Sequence, residues 1–426
     1  MNENTCMDLC AETVKIKMYL NALKLVFPYD NKVLAKLINH DKLVNQTEKI
    51  SSEWLSYIFH RAQRLELQKM GLTEIKIKEL LKRRFEIDVE AEYALLLKEN
   101  VSLISRSDRE YPSLLNQIYN APEVLYVQGK KSMLSNQNNS WEISIVGTRA
   151  ASSYGLEVTE RIVKDLKPYE PTIVSGLAMG IDMAAHSAAI SNDLPTIAVL
   201  GAGHGSLKPK YGFRLIKELL TNHLVVSEYP FNIKGDKFTF PQRNRIIAGL
   251  SLATVVVEAR SRSGALITAQ MAAENNREVF AVPGSILSTY SRGTNETIKK
   301  SEAELYLDVP TMIETINLSA FLPFAERYPI SQKEELAKQL LAARKLALLS
   351  PRVRFAGPLP NSIIPDIEGH IHRKIYDNLK CPMSIGEMIE VTGATTQELL
   401  ISLTELELQG YIKEDTNQKW LRTVGN

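Results

Sequence analysis

Cations and aromatic side chains alternate in residues 229–245, which read YPFNIKGDKFTFPQRNR. Rings stack on nucleobases and cations bind phosphates, so this composition is typical of a groove that holds a single nucleic-acid strand. Pro241 favours the first turn of a helix, with Phe240 just before it as a base platform or a hydrophobic staple. Because Arg243 and Arg245 then point about 200° apart, we expect Arg243 to face the ligand and Arg245 to brace the structure. The rings and cations that we expect to act together are Tyr229, Phe238, Phe240, Lys234, Lys237 and Arg243.

Two enzyme interpretations compete with strand binding. The stretch VLGAGHGS places Gly201, Gly203 and Gly205 after an apolar run, but this spacing and the absence of a following helix start disfavour a dinucleotide site. Asp182 and His186, with Ser175, offer groups for a nucleotide hydrolase or transferase. The sequence supplies no second histidine or carboxylate cluster beside them, so neither a metal site nor a catalytic triad is predicted.

Short apolar runs rich in Val and Ile alternate with helical stretches between residues 141 and 316. Runs of this kind are typical of strands covered on both faces, and their alternation with helices predicts an α/β fold with a Rossmann-like, doubly wound parallel sheet. The predicted strands are residues 142–147, 172–176, 195–201, 223–228, 252–259 and 278–284. The helices predicted between them include residues 155–167, 182–192 and 264–275.

Ligands of such sheets bind at the edge formed by the carboxyl ends of the strands. The loops predicted there bring glycines, hydroxyls and cations to helix N-termini, where free amides favour an anion. We therefore predict a phosphate-binding surface at the carboxyl edge. Besides the cations of residues 229–245, its candidate residues are Gly147, Thr148, Arg149, Ser175, Gly176, Ser263 and Gly264.

Length and composition fit a multidomain protein of ordinary solubility. The 426 residues are 44% hydrophobic and 23% charged, with a net charge of only +2, so an anionic ligand must be met by a local patch. Three cysteines without a CxxC pair favour a reducing cytoplasm. The first ten residues, MNENTCMDLC, lack the pattern of an export signal, and no run approaches membrane-spanning length.

Helical and turn patterns divide the chain into four segments. Residues 1–95 predict a small helical (SAM-like) domain, and residues 96–316 hold the sheet with its lead-in. Residues 317–366 predict a helix followed by a proline-rich linker. Residues 367–426 predict a winged helix, whose third helix carries Glu398, Glu405 and Glu407. Those acids disfavour a duplex on that helix, so we expect a protein-contact or regulatory role for this domain. The alternative is duplex binding through the basic wing, which carries Lys413, Lys419 and Arg422.

Residues 97–315 closely resemble the DNA-processing protein A (DprA/Smf) family. The resemblance rests on SIVGTR, IVSGLAMGIDMAAH, SEYP, FPQRNRIIAGLS, VVEA, SGALITA, REVFAVPGS and GTN, in this order. It implies a Rossmann-like core that binds single-stranded DNA, forms a homodimer, and passes the strand to the recombinase RecA during natural transformation. It implies no catalytic activity, and we expect binding to require neither metal nor nucleotide cofactor.

The resemblance also implies roles for individual residues. Arg149 would hold a phosphate beside the amides of Gly147 and Thr148, Lys237 would contact the backbone, and Phe240 would stack on a base. The RN pair corresponds to Arg243 and Asn244, and Ser175, Gly176, Ser263 and Gly264 complete the anion-binding edge. After the third strand the family carries an acid and a Tyr-Pro pair, where this chain has the basic stretch GHGSLKPKYGFR.

Overall fold

The computed structural model describes residues 3–45, 50–134, 141–207 and 212–316. Beyond residue 316 it describes 375, 379, 383, 388, 391–392, 399, 402–403, 406, 412–414 and 420–422. The chain divides into two compact units, Met1–Ala347 and Leu348–Asn426. The predicted helix and linker of residues 317–366 and most of the predicted winged helix lie outside the described residues.

A nine-stranded, mostly parallel sheet organises the described part of the first unit, as the alternation of strands and helices predicted. Its strands are β1 Ser102–Ser105, β2 Val124–Gly129, β3 Glu142–Val146, β4 Thr172–Ser175, β5 Thr196–Leu200, β6 Leu224–Ser227, β7 Ala253–Val256, β8 Glu278–Ala281 and β9 Glu304–Leu305. They lie in the order β1-β2-β6-β5-β4-β3-β7-β8-β9. Strands β3 to β9 run parallel to one another. Strands β1 and β2 extend the sheet antiparallel beside β6, so the lead-in is part of the sheet.

Helices cover both faces of the sheet because each βα unit returns the chain across it. The helices of this region are α7 Ser113–Asn116, α8 Ser153–Leu166, α9 Ile181–Ser191, α10 Phe213–Asn222, α11 Thr239–Leu250, α12 Gly264–Glu274, α13 Arg292–Lys299 and α14 Val309–Thr315. One face packs Ile143, Ile145 and Ile173 against α8 and α9. The other face packs Val146 and Val174 against α11 and α12. Neighbouring residues of one strand thus enter opposite cores, as the pleat requires.

The described residues of the N-terminal segment contain six helices. Its helices are α1 Glu3–Val26, α2 Asn31–Asn45, α3 Ser52–His60, α4 Arg64–Lys69, α5 Glu74–Arg83 and α6 Val89–Lys98. The boundary predicted at residue 95 falls within α6. These helices share one hydrophobic core with Leu103, Val124 and Tyr126 of the first two strands. The Tyr126 hydroxyl donates to Asn21 Oδ1 at 2.8 Å inside that core.

In the second unit, two strands pair antiparallel, at the position predicted for the hairpin of the winged helix. They are β10 Ile412–Glu414 and β11 Trp420–Arg422. Ile412 and Trp420 are buried with Ile375, Leu399 and other apolar residues in a separate small core. Among the described residues of both units, no helix combines the length and the apolar character needed to cross a membrane.

Candidate nucleic-acid interface

A cleft of about 590 Å³ opens at the carboxyl edge of the sheet. It lies between the loop that follows β3 and the first turns of α11 and α12. Strand order explains the position, because the chain leaves β3 toward β4 on one side and β7 joins β3 from the other. The predicted site residues that line it are Gly147, Thr148, Arg149, Lys237, Phe240, Arg243, Asn244, Ser263 and Gly264.

Arg149 and Phe240 stand together at this cleft and at a second cleft of about 330 Å³ beside β5. The exposed Arg149 guanidinium carbon lies 5.6 Å from the centroid of the Phe240 ring, a cation–π distance. The ring packs on Gly201, where an added Cβ would lie 2.6 Å from its Cδ1 atom. Because residue 201 has no side chain, the Phe240 ring can occupy this space. The ring is half-buried, and the Arg149 guanidinium lies over it on the solvent side.

Lys237 and Phe238 form a second cation–aromatic pair, and both residues are exposed. Lys237 Nζ lies 5.0 Å from the Phe238 ring centroid, and Phe238 is 64% exposed. Sequence reasoning placed Phe238 among the rings of the loop but did not select it for the site. Its position directly after Lys237 was the available signal.

Tyr229 does not take part, contrary to expectation. Its side chain is fully buried, and its hydroxyl contacts Gln242 Oε1 at 3.1 Å and the Thr239 carbonyl at 3.4 Å. Burial raises the pKa of the Tyr229 hydroxyl above its usual range. The ring supports the loop from below and is not available for stacking.

The two arginines of α11 both reach internal partners. Arg245 Nη2 lies 2.5 Å from Glu228 Oε2, which agrees with the predicted bracing role. Arg243 lines both clefts but is only 4% exposed. Its Nη1 donates to the Gly176 carbonyl at 2.6 Å and to the Val199 carbonyl. Arg243 thus joins the ends of β4 and β5, a bracing role that sequence reasoning assigned only to Arg245.

The N-terminus of α11 differs from the prediction. The helix begins at Thr239, two residues before Pro241. The Asp236 carboxylate accepts hydrogen bonds from the amides of Thr239 at 2.9 Å and Phe238 at 2.7 Å, and these bonds lower the pKa of Asp236. The amides expected to receive a phosphate there are already occupied by a carboxylate.

The amides after β3 are occupied in the same way. The Thr148 amide donates to the Glu258 carbonyl at 2.8 Å. The amides of Gly147, Gly176 and Ala178 donate to the buried Asp182 carboxylate. Burial raises the pKa of Asp182, while the Arg243 charge and these amides oppose that rise. The Gly147 amide is therefore used by the Asp182 carboxylate and the Thr148 amide by a backbone carbonyl, whereas the Arg149 side chain is exposed.

Ser175 and Gly176 lie below the surface that the prediction assigned to them. The buried Ser175 hydroxyl donates to the Ile145 carbonyl at 2.6 Å, which ties β4 to β3. An added Cβ at Gly176 would lie 2.6 Å from the Arg243 guanidinium, so this glycine admits the arginine. Neither residue lines the first cleft, and Gly176 instead lines the second cleft beside β5.

The start of α12 is open to a ligand. The Ser263 hydroxyl caps the helix by accepting from the Ala265 amide at 3.3 Å. Asn244 Nδ2 donates to the Gly264 carbonyl at 3.2 Å and so ties α11 to this turn. Gly264 is exposed, and an added Cβ would meet no atom within 4 Å. The first amides of an α-helix point outward with a partial positive charge, which favours an anion here.

The histidine of the hydrolase interpretation is a packed core residue. His186 Nδ1 lies 2.7 Å from Thr196 Oγ1, whose own proton goes to the Ile173 carbonyl. His186 is therefore the donor in this bond. Burial lowers its pKa to about 3, so the ring is neutral at physiological pH.

The glycines of the dinucleotide interpretation likewise serve packing. An added Cβ at Gly203 would lie 2.0 Å from the Pro230 carbonyl oxygen. Gly201 and Gly203 are both buried, which agrees with a packing role. Lys208 and Lys210, the basic residues that follow, lie outside the described residues.

Comparison with known proteins settles the family. Residues 102–317 match the family model described as DNA recombination-mediator protein A. The chain belongs to this family. It is 35% identical over 387 residues to the protein Smf of Escherichia coli (strain K12), a match that covers 90% of this chain and 93% of that protein.

Other proteins of the DNA recombination-mediator protein A family are similar to large parts of the chain. The DNA processing protein DprA of Streptococcus pneumoniae is 43% identical over 222 residues, which cover 52% of this chain and 76% of that protein. The X-ray structure of DprA from the same species superposes with a TM-score of 0.57 at 34% identity and covers 68% of this chain and 95% of that chain. The family resemblance inferred from the sequence is confirmed.

Proposed function

We propose that this chain binds single-stranded DNA in the cleft at the carboxyl edge of its sheet. The observation that carries the proposal is that Arg149, Lys237 and Phe240 line one opening. Arg149 pairs there with the Phe240 ring, and Lys237 pairs with the exposed ring of the adjacent Phe238. Cations beside rings bind both parts of an unpaired nucleotide, the phosphate and the face of the base. Membership of a family whose relatives are named DNA processing proteins supports this ligand.

The geometry divides the work among the residues of the cleft. Arg149 and Lys237 are exposed and meet phosphates, while Gly264, the exposed first residue of α12, offers its backbone amide to another. Phe238 offers a free ring to a base, and Phe240 contributes through the guanidinium stacked on it. Arg243 and Asn244 hold these elements together from inside.

A duplex would bind this cleft less well than a single strand. Stacking on Phe238 or on the Arg149–Phe240 pair needs a base face, and paired bases keep their faces covered. The carboxylates of Asp236 and Asp182 line the same cleft, so they work against a dense row of phosphates. The preference for a flexible strand follows from both features.

The cellular role that we propose is protection of incoming DNA and its transfer to the recombinase RecA during natural transformation. The resemblance to the DprA/Smf family, which the comparisons bear out at the level of family, supports this role. It also supports a homodimer, a cytoplasmic location, and binding without a metal or nucleotide cofactor.

The alternative function is nucleotide hydrolysis or transfer at the same edge. The geometry favours it less, because its candidate groups are engaged internally. Asp182 accepts backbone amides, His186 bonds to Thr196, and Ser175 bonds to Ile145. A reacting group must be able to reach its substrate, and these three stabilise the sheet and its loops instead.

A fluorescence anisotropy titration tests the proposal with three ligands: a labelled single strand, the matching duplex, and an unlabelled mononucleotide competitor. We expect micromolar or tighter binding of the single strand, weaker binding of the duplex, and no dependence on added chelator. Equal affinity for single strand and duplex would contradict the proposal. Competition by micromolar mononucleotide, followed by its turnover, would favour the enzyme.

A further inference from the structure

A third cation–aromatic pair lies on the loops that follow β7 and β8. The guanidinium carbon of Arg260 is 5.0 Å from the centroid of the Tyr290 ring. Arg260 and Arg262 are exposed, and Tyr290 is partly exposed. None of these three residues was predicted as part of the site, and none lines the cleft described above.

The two loops are fixed to each other, so the pair is held in place before any ligand binds. The Gly293 amide donates to the Ala259 carbonyl at 2.7 Å. Asn295 donates to the Gly284 carbonyl at 2.9 Å and accepts from the Gly284 amide at 3.1 Å. An added Cβ at Gly293 would lie 2.6 Å from the carbonyl oxygens of Ala259 and Arg260, so the loops could not approach this closely with a larger residue.

The charge of this surface is positive and available. Among the described residues, neither Arg260 nor Arg262 lies within ion-pair distance of a carboxylate. The neighbouring Glu296 is already held by Arg292 Nε at 2.9 Å and by the Ser261 hydroxyl, which together lower its pKa. The Arg262 guanidinium can bind an anion, and the adjacent Arg260–Tyr290 pair can stack on an aromatic ring. Together they favour a ligand that has both groups, such as a nucleotide.

The Arg260–Tyr290 pair lies on the same carboxyl edge of the sheet as the cleft. Arg262 directly precedes Ser263 and Gly264, which line the cleft. Strands β3, β7 and β8 are neighbours in the sheet, so their carboxyl ends lie about 4.8 Å apart from one strand to the next. A DNA strand that runs from Arg149 across the start of α12 would therefore reach Arg262 and then Tyr290.

We propose that Arg260, Arg262 and Tyr290 form a second contact for the same DNA strand. This inference rests on the proposed function. One base stacks on the Tyr290–Arg260 pair, and Arg262 binds a phosphate between this base and the cleft. A strand long enough to reach both contacts gains affinity over a strand that fills the cleft alone, because the second contact then forms without a second association step.

The experiment compares Tyr290→Ala and Arg262→Ala with the wild-type chain on two oligonucleotides, one of about 6 and one of about 20 nucleotides, within the range bound by single-strand modules. Tyr290→Ala is expected to weaken the binding of the long oligonucleotide by roughly 5- to 150-fold, the range for removing one base–aromatic stack. Binding of the short oligonucleotide is expected to stay within about twofold. Arg262→Ala is expected to lower the salt slope on the long oligonucleotide by about 0.7.

Arg161→Ala is the matched control, because it removes the same charge from an exposed arginine in the middle of α8, where the partner is Asp165. Unchanged binding by the control, with loss only on the long strand in the two test variants, supports the proposal. Wild-type-like binding of the long strand by both variants overturns it, as does equal loss on both lengths or equal loss in the control. Failure of the wild-type chain to bind either oligonucleotide instead overturns the proposed function.

Discussion

Two arginines of the cleft carry the same charge, but we expect their removal to affect different properties, DNA affinity in one case and folding stability in the other. Arg149 is exposed and stacked on Phe240, whereas Arg243 is 4% exposed and donates to the carbonyls of Gly176 and Val199. We predict that Arg149→Ala loses DNA affinity without losing stability. We predict that Arg243→Ala loses stability first.

The magnitudes follow from the environments. Hydrogen bonds from a charged donor each contribute roughly 1.5–3 kcal/mol, so loss of the two carbonyl contacts should lower the free energy of unfolding of Arg243→Ala by roughly 3–6 kcal/mol. Exposed substitutions usually change stability by no more than about 0.5 kcal/mol, which is the expectation for Arg149→Ala. One lost phosphate contact on a single strand lowers the salt slope by about 0.7, and we expect that change only for Arg149→Ala.

Urea unfolding measures the first quantity, and anisotropy titrations at several salt concentrations measure the second. Net charge falls by one in both variants, so a difference between their salt slopes reports a contact and not the overall field. Arg243→Lys serves as a further variant if Arg243→Ala does not fold, because lysine keeps the charge and part of the donor set. An Arg243→Ala protein of wild-type stability with a reduced salt slope, or an unchanged slope for Arg149→Ala, would refute this reasoning.

Four further substitutions test the site and its support. Gly201→Ala places a Cβ 2.6 Å from Phe240 and should displace the ring, so we expect weaker DNA binding at unchanged charge, measured by anisotropy. The Cβ added by Gly264→Ala meets no atom within 4 Å, so the melting temperature of the variant should not fall. Weaker DNA binding by this variant would locate a phosphate at the start of α12, and unaltered binding would argue against that contact. Asp236→Ser keeps a capping oxygen but removes a carboxylate, and affinity for single-stranded DNA should rise in the same titration. His186 is protonated near pH 6.5 in the unfolded chain but only near pH 3 in the folded chain, so the free energy of unfolding should fall by about 2 kcal/mol from pH 8 to pH 5. His186→Asn should lessen this pH dependence, which urea titrations measure. An equal pH dependence in the variant would contradict the assignment of a buried neutral histidine.

The sequence determined the sheet and the edge at which the cleft opens. Each predicted strand is present, because a run of Val and Ile between turn residues has one favourable place, the middle of a sheet covered on both faces. Helix alternation then sets parallel pairing, and parallel pairing brings the loops after β3, β6 and β7 to the same edge. The sequence therefore suffices to assign Arg149, Lys237 and Gly264 to one site.

Tertiary structure alone decided which polar groups are free. Sequence spacing shows that Arg243 and Arg245 point apart, but the partners of Arg243 are carbonyls 67 and 44 residues away. Asp182 and Asp236 occupy the amides expected to bind phosphate for a similar reason. A buried donor or acceptor must be satisfied, and any nearby group can satisfy it, so contacts between distant segments decide which charges are used internally and which remain for a ligand. For this chain they leave Arg149, Lys237 and Phe238 at the surface.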